Sequence, residues 1–301
     1  MNFLKSIYFL FNFFYINITF IKTGGYYRVK HDTIYCNNLD KSSKYIDIWY
    51  PENNNHNISI PLIVYGHGYS GGSFSLPFGY SPILSEISSW GFFIAAPRSC
   101  SYGCYESMNE RLPKDPPGFK YFYNELLKTI DCVDGNEDES FKIIDKKKGV
   151  GIAGHSMGGQ AALYGSLKEN NKFYNVKTSV IHNVYTHSFP IIDIPFLIIT
   201  GSDDKLAIPS WSKKIFMDSM VNDKIFINKL QKSHTDLLYQ DYKNYSIVTA
   251  FWFKLYLTEI ESEMGNNYYE YIYGNNEESL CSNGFGLLKE CMIKNKRNIL
   301  N

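Results

Sequence analysis

The chain is predicted to be an α/β domain, a mostly parallel sheet of about eight strands with helices on both faces. Three observations carry that expectation. From residue 60 onward, short apolar runs alternate with stretches of helical period, the pattern of repeated strand–helix–strand units. Gly149–Ala153 and Ile194–Thr200 read as runs buried in the interior of such a sheet. A length of 301 residues is enough for one large domain with a full core.

Strand-like runs at 26–35 and 44–50 open the fold as an antiparallel pair. The run Glu52-Asn53-Asn54-Asn55-His56-Asn57 reads as a solvated tip. The strand at 60–66 rests on Pro61-Leu62-Ile63-Val64-Tyr65 and runs into Gly66-His67-Gly68-Tyr69-Ser70-Gly71-Gly72. A helix near 81–90 leads to a strand near 91–97. Residues 98–118 hold Pro113, Pro116, Pro117 and Gly118 without periodicity, so they read as a loop beside the cleft. A helix near 119–133 and a charged connection, 134–147, precede the strand at 148–154. The next helix, 157–169, carries Ala161, Ala162 and Leu163 at helical spacing. Strands near 176–184, 194–201 and 224–231 and helices near 210–221 and 241–258 complete the alternation. No insertion has the length of a large lid, which points to an open site. Residues 261–301 read as a polar extension rich in Tyr and Asn.

Gly154-His155-Ser156-Met157-Gly158 joins the strand at 148–154 to the helix at 157–169. A serine at the apex of so sharp a turn takes a strained backbone conformation and exposes its hydroxyl. Glycines two residues to either side avoid a Cβ clash across the bend. The helix N-terminus adds N–H groups and a dipole that favour negative charge. Those are the needs of a nucleophile that generates an oxyanion.

Such a serine requires a base and a group that orients the base. In elbow-type sites the chain order is Ser, then Asp or Glu, then His. The run Ile194–Thr200 ends in Gly201-Ser202-Asp203-Asp204, at the strand end where open α/β sheets place their sites. Asp203 and Asp204 are both candidates for the acid, and Asp204 is favoured, with Asp203 capping the turn. His234 follows the strand at 224–231 and is the only histidine beyond His187, so it is the candidate base. The glycine-rich loop after Tyr65 can bring a backbone amide close to a ligand, and the Tyr69 amide is the expected partner of the Met157 amide in an oxyanion hole. That loop lacks the Gly-Lys-Ser/Thr ending of a nucleotide cradle.

These residues resemble the α/β-hydrolase superfamily, and more narrowly its branch of chlorophyllases, platelet-activating-factor acetylhydrolases and cutinase-like polyester hydrolases. The resemblance rests on Asp47-Ile48-Trp49-Tyr50-Pro51, His67-Gly68-Tyr69, Trp90–Pro97, Gly154–Gly159, Gly201–Asp204 and Ser233-His234, and covers roughly residues 26–258. It implies Ser156 as nucleophile, Asp204 as acid and His234 as base, with the Tyr69 and Met157 amides as the hole. It also implies a carboxylic ester substrate (lipid-like, polyester or small), no cofactor, no metal, and contact with a lipid or polymer interface. In the polyester hydrolases an aromatic residue, usually Trp, clamps the acyl group; Tyr185 falls near that place by spacing, and Tyr69 resembles the aromatic lining the same cleft. A non-catalytic binding or adhesion module on the same scaffold, and an acyltransferase using the same triad, are the competing readings.

Formal net charge is +0, so nothing points to a nucleic-acid partner. Residues 1–22 contain Lys5 and a mostly apolar stretch interrupted by Asn12, Asn17 and Thr19. They are expected to be a signal peptide, with an uncleaved membrane anchor or a first strand as the alternatives. The hydrolase domain is then 23–260, in a secreted or endomembrane-lumenal protein. Six cysteines suit disulfides. Cys281–Cys291 is the favoured pair, and Cys100 and Cys104 are expected to pair with each other or, one of them, with Cys132. Asn57-Ile58-Ser59 and Asn244-Tyr245-Ser246 are candidate glycan acceptors.

Overall fold

The computed structural model describes residues 24–39, 44–52, 59–69, 79–99 and 117–295, with the backbone alone at 117–121. The expected leader at 1–22, residues 53–57 of the Asn-rich tip, the sequon's Asn57, the pair Cys100 and Cys104, and most of the cleft loop lie outside the described residues. So do 70–78 and 100–116, on which the expectation of an open site depends. Among the described residues, no helix is long and apolar enough to cross a membrane.

In chain order the strands are β1 (Val29–Tyr35), β2 (Tyr45–Pro51), β3 (Leu62–Gly66), β4 (Phe93–Pro97), β5 (Val150–His155), β6 (Val176–His182), β7 (Phe196–Gly201), β8 (Lys224–Lys229), the two-residue β9 (Ser262–Glu263) and β10 (Asn266–Asn267), and β11 (Leu288–Lys294). The helices are α1 (Ser81–Ser88), α2 (Pro117–Asp134), α3 (Met157–Gly165), the single turn α4 (Lys168–Asn171), α5 (Pro209–Asp218), α6 (Tyr242–Phe253) and α7 (Tyr268–Tyr273). Nine strands of the described residues form one sheet, ordered β1-β2-β4-β3-β5-β6-β7-β8-β11. The strands from β4 to β8 are mutually parallel. Antiparallel pairings bring in β2 with β1 at one edge and β11 at the other.

Every residue of β3, β4, β5 and β7 is buried, which is why their sequences are apolar on both faces. Their side chains feed two cores. One face carries Ile63, Tyr65, Ile94, Val180, Leu197 and Ile225 against α1, α6 and α7. The other carries Leu62, Val64, Phe93, Ile152, Ile181 and Ile198 against α2, α3 and α5. The result is three layers, helices–sheet–helices.

Strand order reverses beside β3. From β3 the chain steps to β4 on one side, then crosses through α2 to β5 on the other and continues outward to β8. The carboxyl ends of β3 and β5 therefore feed loops that part in opposite directions, and open α/β sheets bind ligands in the crevice so formed. Gly66 pairs with Gly154 across that boundary.

On the β1–β2–β4 edge, Asp47 is fully buried. It accepts from Arg98 Nε and Nη2 at 2.6 and 2.7 Å, from Thr33 Oγ1 at 2.9 Å, and faces His31 Nε2 at 3.0 Å. Burial raises the Asp47 pKa, but the bonds from Arg98, His31 and Thr33 outweigh it and hold the carboxyl below its ordinary value.

The extension is not a polar tail. It forms the β9–β10 hairpin, then α7, then β11, which lies antiparallel to β8. Tyr268 and Tyr271 pack their rings on Phe251 at 4.7 and 5.0 Å between centroids. Phe285 is fully buried, with Lys229 Nζ 4.0 Å from its ring centre. The tyrosines of the extension act here as apolar rings with a hydroxyl handle. The favoured pair Cys281–Cys291 is bonded, and Cys132 is joined to Cys36 rather than to Cys100 or Cys104. Cys36 and Cys132 belong to the same core beneath α2, a contact 96 residues apart in sequence. The second sequon lies in α6, where the Asn244 amide donates to Asp241 and Ser246 is buried, so it does not present the exposed loop expected of an acceptor.

Candidate active site

Ser156 stands between β5 and α3 with φ 57° and ψ −115°, a region that L-residues occupy at a cost of order 1–3 kcal/mol. The surroundings enforce it. Ser156 N–H donates to His182 O at 3.0 Å, and Ser156 O accepts from Tyr185 and Gln160 N–H at 3.1 and 3.0 Å. A Cβ at Gly154 would overlap the Gly158 carbonyl, and one at Gly158 would overlap Gly66 O. The start of α3 is thus pressed onto the ends of β3 and β5, and only glycine allows that approach.

The three residues expected to act together do meet. His234 Nε2 lies 2.8 Å from Ser156 Oγ, and His234 Nδ1 lies 2.7 Å from Asp204 Oδ2. A carboxylate can only accept, so Nδ1 carries the proton and Nε2 is left to accept from the serine hydroxyl. Ser156 and Asp204 are buried, and the His234 side chain is 13% exposed.

Asp204 rather than Asp203 stands against His234. Its second oxygen, Oδ1, accepts from Leu206 and Ala207 N–H at 2.9 and 2.8 Å, and Oδ2 also accepts from Asn183 Nδ2 at 2.9 Å. Asp203 is exposed; its side chain accepts from Ser202 Oγ and its N–H bonds Lys232 O. It holds the turn between β7 and the His234 loop. Asn183 was not anticipated. It lies one residue past β6, fully buried at φ 43°, and a left-handed asparagine at a sheet's carboxyl end is the signal that could have found it.

The His67–Tyr69 loop lies against Ser156. A Cβ on Gly68 would sit 3.4 Å from Ser156 Cβ. Gly68 N–H is bonded to the Tyr80 hydroxyl at 2.7 Å, and Gly68 O lies 2.7 Å from His67 Nδ1. Burial pushes the His67 pKa down to about 4, so the ring is neutral and its Nδ1–H donates to that carbonyl. The Gly68–Tyr69 peptide, whose other end is the Tyr69 N–H, is fixed from its oxygen side. Met157 opens α3, so its amide belongs to the helix N-terminus next to Ser156.

Both residues expected to line the cleft pack on the same core beside the site. Tyr185 meets His187 and Trp211 edge-on, at 5.5 and 5.6 Å between ring centres, and those two rings are 4.6 Å apart. Trp211, on α5, and His187 were not anticipated. Leu206 and Ile208, just past Asp204, are 62% and 39% exposed. Among the described residues, no group of three or more His, Cys, Asp or Glu side chains is placed to hold a metal ion. No protein-family model matches the chain, and no curated protein matches it either.

Proposed function

We propose that the chain is a serine hydrolase of carboxylic esters on the α/β-hydrolase fold, of the kind represented by chlorophyllases, platelet-activating-factor acetylhydrolases and cutinase-like polyester hydrolases. One observation carries the reading. Asp204, His234 and Ser156 form an unbroken hydrogen-bonded series of 2.7 and 2.8 Å ending at a serine in a strained turn.

In the proposed reaction Ser156 Oγ attacks the ester carbonyl carbon while its proton passes to His234 Nε2. The carbonyl oxygen becomes an oxyanion beside the Tyr69 and Met157 amides. As the tetrahedral intermediate collapses, His234 returns the proton to the departing alkoxide, and the acyl group remains on Ser156 Oγ. Water then attacks with His234 as base; the acid leaves and the serine regains its proton. Asp204 keeps its charge throughout and steadies the imidazolium. Tyr69, Tyr185 and the apolar rim at Leu206 and Ile208 suit a hydrophobic acyl or alcohol group. The disulfides Cys36–Cys132 and Cys281–Cys291 are compatible with a secreted protein.

A fluorophosphonate probe should label the protein, and peptide mapping should place the label on Ser156. Ser156→Ala should abolish labelling and lower turnover of a p-nitrophenyl ester by roughly four to six orders of magnitude. Near-normal turnover in that variant, or a label elsewhere, overturns the assignment.

A further inference from the structure

Two buried side chains that the triad does not use join the parts of the site to one another. Tyr80 immediately precedes α1, and His155 ends β5; each is 3% exposed. The Tyr80 hydroxyl lies 2.7 Å from Gly68 N and 2.7 Å from His155 Nδ1, and His155 Nε2 lies 2.9 Å from the backbone oxygen of His234.

The polarity of this series is determined. A carbonyl oxygen only accepts, so Nε2 of His155 bears the proton. In a neutral imidazole Nδ1 is then an acceptor and must receive the Tyr80 O–H. The Tyr80 oxygen keeps its lone pairs for Gly68 N–H. Burial first, and then the neighbouring His234, push the His155 pKa well below its ordinary value, which keeps the ring neutral as the pattern requires. Donors and acceptors match at every link, so none of these buried groups lacks a partner.

We propose that Tyr80 and His155 are positioning residues whose hydrogen-bond chain, Gly68 N–H to Tyr80 to His155 to His234 O, sets the spacing between the oxyanion loop and the catalytic base. The chain begins one residue before the Tyr69 amide, passes through the residue covalently joined to Ser156, and ends on the backbone of the base itself. Nucleophile, base and oxyanion donor sit on three loops from different strands, and packing alone fixes distances among loops less tightly than directional bonds do. Two apolar side chains of the same volume would fill the space but give the loops no preferred register.

The inference rests on Ser156 being the nucleophile, so the experiment tests both separately. Tyr80→Phe keeps the ring and removes the hydroxyl. His155→Phe keeps a planar ring and removes both the donor toward His234 O and the acceptor that Tyr80 uses. Labelling by the fluorophosphonate is followed at increasing probe concentration for wild type, each variant and the double variant. Tyr80→Phe should lower the maximal labelling rate by about 10-fold, the scale of a small misplacement of reacting groups, with little change in half-saturating concentration. Losses in the double variant should combine less than multiplicatively, because both substitutions cut one chain. A role in folding alone would lower the melting temperature and leave the maximal rate of the folded protein intact, and that result overturns the proposal. So do losses that multiply. Nitrogen-15 spectra supply a reading independent of turnover: wild-type His155 should be the Nε2–H tautomer, and an Nδ1–H tautomer overturns the chain. Wild-type protein that does not label at Ser156 refutes the hydrolase reading itself, and the positioning role with it.

Discussion

Asp204→Asn should remove almost all activity while Asp203→Asn leaves it intact, and the bonds around the carboxylate give the size of the effect. Four donors converge on Asp204. His234 Nδ1–H and Asn183 Nδ2–H reach Oδ2, and the Leu206 and Ala207 amides reach Oδ1. An asparagine can point its oxygen at one pair only, and its own NH2 then confronts the other. With the oxygen held by the two backbone amides, the NH2 faces His234, and the imidazole turns to the tautomer with its proton on Nε2. That nitrogen can no longer accept from Ser156 Oγ. The same change in a serine protease triad lowers turnover about 10⁴-fold, equivalent to about 5 kcal/mol in the barrier, and a loss of that order is expected here. Asp203, exposed and accepting through its side chain from Ser202, should change turnover less than about 2-fold, the scale of a surface substitution. Initial rates on a p-nitrophenyl ester, with circular dichroism to verify folding, decide the matter. Comparable losses in the two variants, or a larger loss at 203, would refute the assignment of the acid.

Two further expectations concern the whole molecule. His67 and His182 are fully buried, and burial lowers their pKa values to about 4 and about 3 from the ordinary 6.5. The unfolded chain takes up these protons below pH 6.5 and the folded chain does not, so stability falls as the pH falls; at pH 5 each histidine removes about 2 kcal/mol. Urea midpoints at pH 7, 6 and 5 should drop steadily, and a flat profile would contradict the burial of both rings. Phe285→Ala should destabilise the protein by about 3–5 kcal/mol, the usual penalty for emptying a filled aromatic site, and unfolding should remain a single transition. A loss under about 1 kcal/mol, or a separate early transition, would mean that the extension is an appendage and not part of the sheet.

The parts of this site that can be read from the sequence are those whose cause lies within a few residues. Gly154 and Gly158 are glycines because the turn between them is tight, and the strand before and helix after announce themselves by period. Asp204 and His234 each follow an apolar strand, so chain order alone proposes them. Asp204 is favoured over Asp203 by its place in the turn, but its bond from Asn183, a residue that follows another strand, has no local pattern to announce it. The same holds for Cys36 with Cys132, for β11 beside β8, and for Tyr80 with His155, where partners are brought together by the sheet order and not by spacing. The extension misled for a second reason: Tyr268, Tyr271 and Tyr273, read with its asparagines as a polar stretch, are buried rings that contribute area first and hydroxyls second. Sequence motifs therefore propose the groups that would react, while the side chains that stand between those groups become visible only when the topology is known. Tyr80 is the sharpest case. Its neighbours are an ordinary glycine before a helix, and the positioning role proposed for it follows solely from standing 2.7 Å from both Gly68 N and His155 Nδ1.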